Sequence, residues 1–398
     1  MQKTQKVEAF VDGEVLVLDH FSGIGHYTAA LLSAVDELLG TEEYAHFDIT
    51  IGLPRKLQDR IQRFGYKNFK YKTMPFSPRI TNGLKRRGLI PPIDLLFGKK
   101  TYVFPHFTTW PTLSSPQIPI IYDLSFVHFP QHSAEKNQQF LESQTEISAK
   151  RAARIITISK NSKKEIVEHY KVDDERVDII VPVLDRVRFC PRSEVEIRNI
   201  RAKYGIFDKY ILFVGNIEPR KNLVGLLKAY KELDASLQDE YALLLVGAKG
   251  WKDGEIHDLI GSLRAEGKKV IQPSDYVVDE DLPALITGAS VFAYVSVYEG
   301  YGIPPTEAMA CGTPVVCADN SSLPEAAEDA AILVDAHSTQ QITDALRDLL
   351  SDSSLREEYR RKGFARVDRL NTRECAETFL RSIENSQNEK ESRQRDHS

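Results

Sequence analysis

Several things are scarce in this chain, and each absence narrows what it can be. Four cysteines stand in 398 residues, Cys190, Cys311, Cys317 and Cys375, with no CxxC pair and no metal-ligand spacing. That argues against a disulfide-built scaffold or a zinc ribbon and points to structural thiols in a reducing compartment. No apolar run approaches the ~18 residues of a membrane-spanning helix, and the opening MQKTQKVEAFVDGEV lacks the continuous apolar stretch of a secretion signal. A cytoplasmic location is the expectation. No P-loop is present either: between Gly261 and Gly267 there are five residues where the motif needs four. The dinucleotide fingerprint is incomplete, because Thr28 stands where a third glycine would follow Gly23 and Gly25. A net charge of −5 gives no electrostatic ground for a nucleic-acid partner. Neither a metal nor a cofactor is expected.

What is present is the patterning of a folded α/β chain. Apolar residues make up 42% and charged residues 27% of the sequence, and its length exceeds what one core usually holds, so two domains are expected. Short apolar strands alternate with helix-period segments, which implies parallel, doubly wound sheets. The strand candidates are residues 14–19, 101–105, 118–123, 154–159 and 177–182, then 210–214, 241–246, 270–272, 291–297, 313–317 and 331–334. A helix over 29–39 puts Leu31, Leu32, Val35, Leu38 and Leu39 on one side. Ser162 with Glu165 and Ser338 with Gln341 read as capping boxes, and Asn222 as a helix N-cap. Residues 185–209, charged and interrupted by Pro191, read as a linker. The expected division is 1–188, 189–355, a helical segment 356–384 packing back on the first domain, and a disordered polar tail 385–398.

Charge is unevenly spread. Residues 51–100 hold thirteen Lys and Arg against two Asp, a net +11, which leaves −16 for the remainder. Such asymmetry points to an anionic partner. Interspersed Phe64, Tyr66, Leu84, Leu89, Leu95 and Leu96 offer an interfacial surface, so contact with an anionic membrane and an ordinary solvated basic face are both open.

The chemistry concentrates in residues 294–319, YVSVYEGYGIPPTEAMACGTPVVCAD. An apolar strand ends in a loop holding Glu299; a Gly-Tyr-Gly turn and two prolines follow. Pro305 suits the first position of a helix, which would place Glu307 in its first turn, near unpaired amides. Both glutamates can then line the crevice at a strand's carboxyl end, where open parallel sheets bind ligands. Upstream, FVGNIEPRKNLVGLLKAY places Arg220 and Lys221 between a strand end and a helix start, a setting suited to a diphosphate.

These segments resemble the retaining glycosyltransferases of family 4, the Glu-x7-Glu group. The resemblance covers most of residues 14–383. It implies the GT-B fold, two Rossmann-like doubly wound parallel-sheet domains facing a central cleft. It also implies that Glu299 lies by the donor sugar and Glu307 holds the nucleotide ribose, with Gly300, Tyr301, Gly302 and Ile303 around the donor. Lys221 stands at the family's usual lysine, while Asn216 stands where many members have arginine and Arg220 supplies the charge. Ser321, Ser322 and Leu323 would bring amides to the phosphates, residues 274–276 would face the base, and the loop at Gly23 and Gly25 would face the phosphates and acceptor. In the segment resembling the family's HD motif, Tyr122 replaces the usual histidine, so Asp123 becomes the catalytic candidate; His106 is a further acceptor or sugar contact. The implied activity is metal-independent, retaining transfer of a sugar from a nucleotide-sugar, with GDP-mannose expected, to a saccharide or lipid-linked acceptor of surface polysaccharide. UDP- or dTDP-sugars, a nucleotide-sugar 2-epimerase of the same fold, and a non-catalytic nucleotide-sugar binder are the alternatives.

Overall fold

A computed structural model describes residues 6–18, 23–87, 89–130, 135–248, 250, 253–274 and 276–395. The chain forms two compact units, Met1–Val183 with Asn371–Ser398, and Leu184–Leu370.

The first unit holds a parallel sheet of β1 (Val7–Asp12), β2 (Phe47–Pro54), β3 (Lys70–Met74), β4 (Thr101–Phe104) and β5 (Gln117–Pro119), in the order β3-β2-β1-β4-β5. A parallel pair, β6 (Ile155–Thr157) and β7 (Val177–Ile179), connects through a bridge between Ile120 and Ile156. Strand order reverses between β1 and β4. The second unit's sheet is β8 (Tyr210–Val214), β9 (Ala242–Val246), β10 (Val270–Ile271), β11 (Val291–Tyr294), β12 (Val315–Ala318) and β13 (Ala331–Val334), in the order β10-β9-β8-β11-β12-β13. Here the reversal falls between β8 and β11. Every residue of β9, ALLLV, is buried, as a strand covered by helices on both faces requires. The helix Leu223–Lys231 adds Leu223, Leu226, Leu227 and Tyr230 to that core.

Six sequence expectations are corrected. Residues 14–18 are no strand: Asp12 Oδ1 accepts from the Glu14 amide at 3.1 Å and turns the chain into a 3-10 helix, Glu14–Leu16. The apolar run is buried all the same (Val15, Leu16 and Val17), so its composition signalled the core rather than a ladder. The expected helix over 29–39 begins earlier, at Gly23. Ser159, not Ser162, caps the helix Lys160–Tyr170, taking the Ser162 amide at 3.0 Å. The expected linker contains the helix Glu194–Tyr204, closed by a complete Ser193–Glu196 capping box. The final helix, Thr372–Arg395, continues past Asn385, because Ser386 Oγ meets Thr101 Oγ1 at 3.0 Å and Gln387 donates to the Glu8 carbonyl at 3.0 Å. Return to the first unit is thus made by residues 371 onward, while the helix Ser353–Asp368 stays with the second.

The basic stretch is half core and half surface. Ile61, Phe69, Met74, Ile90 and Ile93 are buried, whereas Ile80, Leu89, Leu95 and Leu96 are exposed.

Candidate active site

The site grows from the two strands that flank the reversal in the second sheet. After β8 the chain runs to a 3-10 turn, Pro219–Lys221, and Asn222 follows with φ 54°, in the left-handed region that asparagine tolerates. Asn222 caps the next helix through the Gly225 amide at 3.3 Å. Its Nδ2 also donates to the carbonyls of Val295 (3.1 Å) and Ala336 (2.6 Å). The Val297 amide donates to the Arg220 carbonyl at 3.0 Å. These ties lock the loop after β8 to the loop after β11.

The lock brings Arg220, Lys221 and Glu299 together. Lys221 Nζ lies 2.6 Å from Glu299 Oε1 and Arg220 Nη1 3.1 Å from Oε2, so each carboxylate oxygen has its own cation. Lys221 also donates to the Tyr294 hydroxyl at 2.7 Å; Arg220 donates to the Tyr298 carbonyl at 2.8 Å and pairs with Glu218 at 2.9 Å. Glu299 and Lys221 are each only 8% exposed. Burial alone would raise the Glu299 carboxyl, but the Lys221 ammonium and the Arg220 guanidinium outweigh it and hold it at about 2. Burial lowers the Lys221 ammonium, against the pull of Glu299. Glu299 is ionised, and the pair is oriented and partly dry.

The neighbouring segments fix this cluster. The Glu299 amide donates to Ser321 Oγ at 2.9 Å, and Ser322 Oγ donates to the Glu299 carbonyl at 2.7 Å. Ser322 and Leu323 are fully buried, and the Leu323 amide already donates to the Asn320 carbonyl at 3.1 Å. They act here as supports of the Glu299 loop. Gly300, Tyr301 and Gly302 are buried behind it, and Tyr301 takes a bond from Arg366 at 3.3 Å. Gly302 has φ 115°, and a Cβ there would stand 2.8 Å from Leu323 Cδ2, so only glycine fits. The helix after it is Ile303–Ala310, with prolines at its second and third positions. Glu307 is therefore its fifth residue, beyond the first turn, and the expected proximity to unpaired amides is not there. Burial pushes the Glu307 carboxyl up to about 7; Arg188 pulls it down, while Asp279 and Asp185 push it further up.

Beside the cluster a crevice of about 200 Å³ opens at the carboxyl ends of β8, β9 and β10, lined among others by Asn216, Gln272, Tyr276 and Asp279. Gly247 lets the ends of β8 and β9 approach at its wall, since a Cβ there would lie 1.8 Å from the Gly215 carbonyl oxygen.

In the first unit the candidates separate. Gly23 and Gly25 belong to the first turn of the helix Gly23–Leu39, and residues 19–22 lie outside the described residues. His106 Nε2 is 4.0 Å from Asp12 Oδ2, at the two lips of the reversal between β1 and β4. Burial lowers its imidazole, against Asp12 and with Lys85. Tyr122 is a core residue, edge-on to Tyr27 and Phe107, and its hydroxyl is 3.4 Å from the Pro105 carbonyl. Asp123 Oδ1 accepts from the Ser125 amide at 2.9 Å and starts a short helical turn, Ser125–His128. Sequence reasoning passed over Tyr294, Asn222's cross-ties, and the Arg188, Asp185 and Asp279 group around Glu307. Only the Asn222 cap had a local signal; the rest are contacts between segments far apart in sequence.

Two parallel α/β sheets, each with a polar constellation at its strand reversal, define the GT-B fold class. The Anabaena protein Alr3699/HepE, solved in complex with UDP, matches over 96% of this chain and 100% of its own at a TM-score of 0.67 and 15% identity. Residues 196–366, which contain Arg220, Lys221, Glu299 and Glu307, match the family described as glycosyl transferases group 1. Among curated proteins, O-antigen chain mannosyltransferase B of Escherichia coli is 34% identical over 255 residues, 64% of this chain and 66% of the relative. Serotype-specific mannosyltransferase WbdA of Escherichia coli is 30% identical over 246 residues, 60% of this chain but 30% of the relative. The matched stretch thus spans two thirds or less of each relative's length.

Proposed function

We propose that the chain is a retaining, metal-independent glycosyltransferase of the family 4 type, moving mannose from GDP-mannose to a saccharide or lipid-linked acceptor in surface-polysaccharide assembly. The observation that carries this is the Arg220–Lys221–Glu299 cluster at the strand reversal. As the bond between the sugar's anomeric carbon and the diphosphate breaks, negative charge gathers on the phosphate. Two fixed cations in a partly dry site stabilise that charge without reorganising. The acceptor oxygen then bonds the anomeric carbon, and its proton passes to the departing phosphate. Both Glu299 oxygens are held by cations, which suits the carboxylate to positioning the sugar and makes it a poor nucleophile. Retention then follows from attack on the face the diphosphate leaves.

Guanine is favoured by Asp279, the acidic residue among the described residues that line the crevice. Guanine presents two adjacent N–H donors on one edge, which a carboxylate accepts together; uracil has no such pair. Removing that acceptor (Asp279→Ala) is expected to weaken GDP relative to UDP by about tenfold, read by calorimetric titration.

Membrane contact belongs to the same proposal: Ile80, Leu89, Leu95 and Leu96 are exposed in the basic stretch, and none of the described helices is long and apolar enough to span a bilayer. A cytoplasmic-face location accompanies it. The activity test is turnover of GDP-mannose with mannosyl oligosaccharides in the presence of a chelator, with the product anomer assigned by NMR. Lys221→Ala and Glu299→Gln are each expected to cost ~10²-fold in kcat. An inverted product, or conversion of donor without acceptor, would reject the reading.

A further inference from the structure

A second polar cavity lies at the amino ends of β11 and β12, opposite the strand ends that carry the candidate active site. It measures about 280 Å³ and is bounded by Ser290 and Pro314, the residues just before β11 and β12. Three guanidinium groups line it. Arg192 comes from the loop before the helix Glu194–Tyr204; Arg356 and Arg360 stand four apart on the helix Ser353–Asp368, hence on one face of it.

Two of these side chains are anchored by single nitrogens. Arg192 Nη2 donates to the Arg188 carbonyl at 2.7 Å, and Arg356 Nη1 donates to the Leu349 and Leu350 carbonyls at 2.5 and 2.9 Å. Each guanidinium carries five N–H donors, so most of the fork on each remains for a ligand. Arg360 lies beside the Phe364 ring, with Glu357 3.8 Å away as its carboxylate neighbour. That glutamate side chain is 73% exposed, so the pair is weak and screened. Glu194 is the other acidic residue at the rim. Three positive charges against two exposed negative ones favour an anion, and a dianion over a monoanion. Guanidinium forks match a phosphoryl group, whose three terminal oxygens each accept one or two such bonds.

We propose that this groove binds a small phosphomonoester, at a site separate from the candidate active site. Its floor includes Cys311, whose amide donates to the Glu307 carbonyl at 3.0 Å at the end of the helix Ile303–Ala310. One short helix therefore joins the groove to the glutamate assigned to the donor ribose. The inference does not depend on what the active site transfers.

The test is calorimetric titration of mannose 1-phosphate at constant ionic strength, into the wild-type chain and into Arg192→Ala/Arg360→Ala, with GDP titrated in parallel. Saturable binding is expected in the wild type, weakened at least tenfold in the double variant, with GDP affinity unchanged. Should the double variant fail to fold, Arg360→Ala, which removes a half-exposed side chain with one screened partner, is expected to weaken binding severalfold. No saturable binding to the wild type overturns the proposal. So does binding that survives the substitutions, or that GDP displaces competitively, since the phosphomonoester would then be sitting in the donor site.

Discussion

Two glutamates eight positions apart are shifted in opposite directions by their surroundings. Glu299 sits between two cations and is pinned at about 2; Glu307 is pushed to about 7, with only Arg188 to offset burial and two aspartates. The consequences for stability have opposite signs. Between pH 2 and its ordinary range Glu299 binds fewer protons folded than unfolded, so its contribution is complete above that window and is lost as pH falls through it. Glu307 binds more protons folded than unfolded between its ordinary range and pH 7, so it weakens the fold increasingly as pH rises to 7. Glu307→Gln is therefore expected to stabilise the unliganded protein at pH 8 and to change little at pH 4.5, as urea titrations at the two values would record. Ribose hydroxyls donate best to a charged carboxylate, so GDP should bind more tightly above pH 7 than below it, with the dependence abolished in the same variant. The sequence made these glutamates visible as candidates. Their electrostatics were not visible, because Lys221 lies 78 positions from Glu299 and Arg188 is further still from Glu307.

Elements that could be read from the sequence were those whose signals are local. Strands β8 and β13 and the Asn222 and Ser338 caps appear where apolar patterning and capping chemistry put them. The elements misread were those where a side chain redirected the backbone or burial mimicked a strand. Asp12 captures the Glu14 amide, and a charged composition hid the Ser193–Glu196 box. Asn222 joins three roles in one residue: cap, left-handed turn and cross-loop tie. Asn222→Ala is expected to lose ~2 kcal/mol or more from the cap and turn alone. Because it follows Lys221 and holds the Val295 carbonyl beside Tyr294, the substitution should also weaken nucleotide binding, whereas the cap variant Ser338→Ala should cost stability only. Equal nucleotide affinity in both variants would show that the tie is not what orders the site.

At the scale of the molecule, the two sheets repeat one strand arrangement, with Arg220, Lys221 and Glu299 gathered at the reversal of the second and the Asp12–His106 pair at that of the first. The GT-B class was legible in the strand–helix alternation together with the family-like segments. The return of the chain to the first unit was expected as well, but from residue 356; it comes at residue 371, where Phe379, Leu380 and Ile383 are buried, and nothing local in the sequence separates the helix Ser353–Asp368 from the one that returns. Phe379→Ala is expected to destabilise the first unit by ~3–5 kcal/mol through the cavity it leaves. GDP binding, which is assigned to the second unit, should survive it.

The most direct test of the central claim is a thermal-shift comparison of GDP, UDP, dTDP and ADP, without added metal, on the wild-type chain and on Lys221→Ala. A nucleotide at a hundred times its Kd stabilises by ~2.7 kcal/mol, enough to move a melting midpoint clearly. The account predicts that GDP raises the midpoint of the wild type more than the other three do, and that Lys221→Ala abolishes the rise. A rise of equal size in Lys221→Ala, or no rise with any nucleotide, would contradict it.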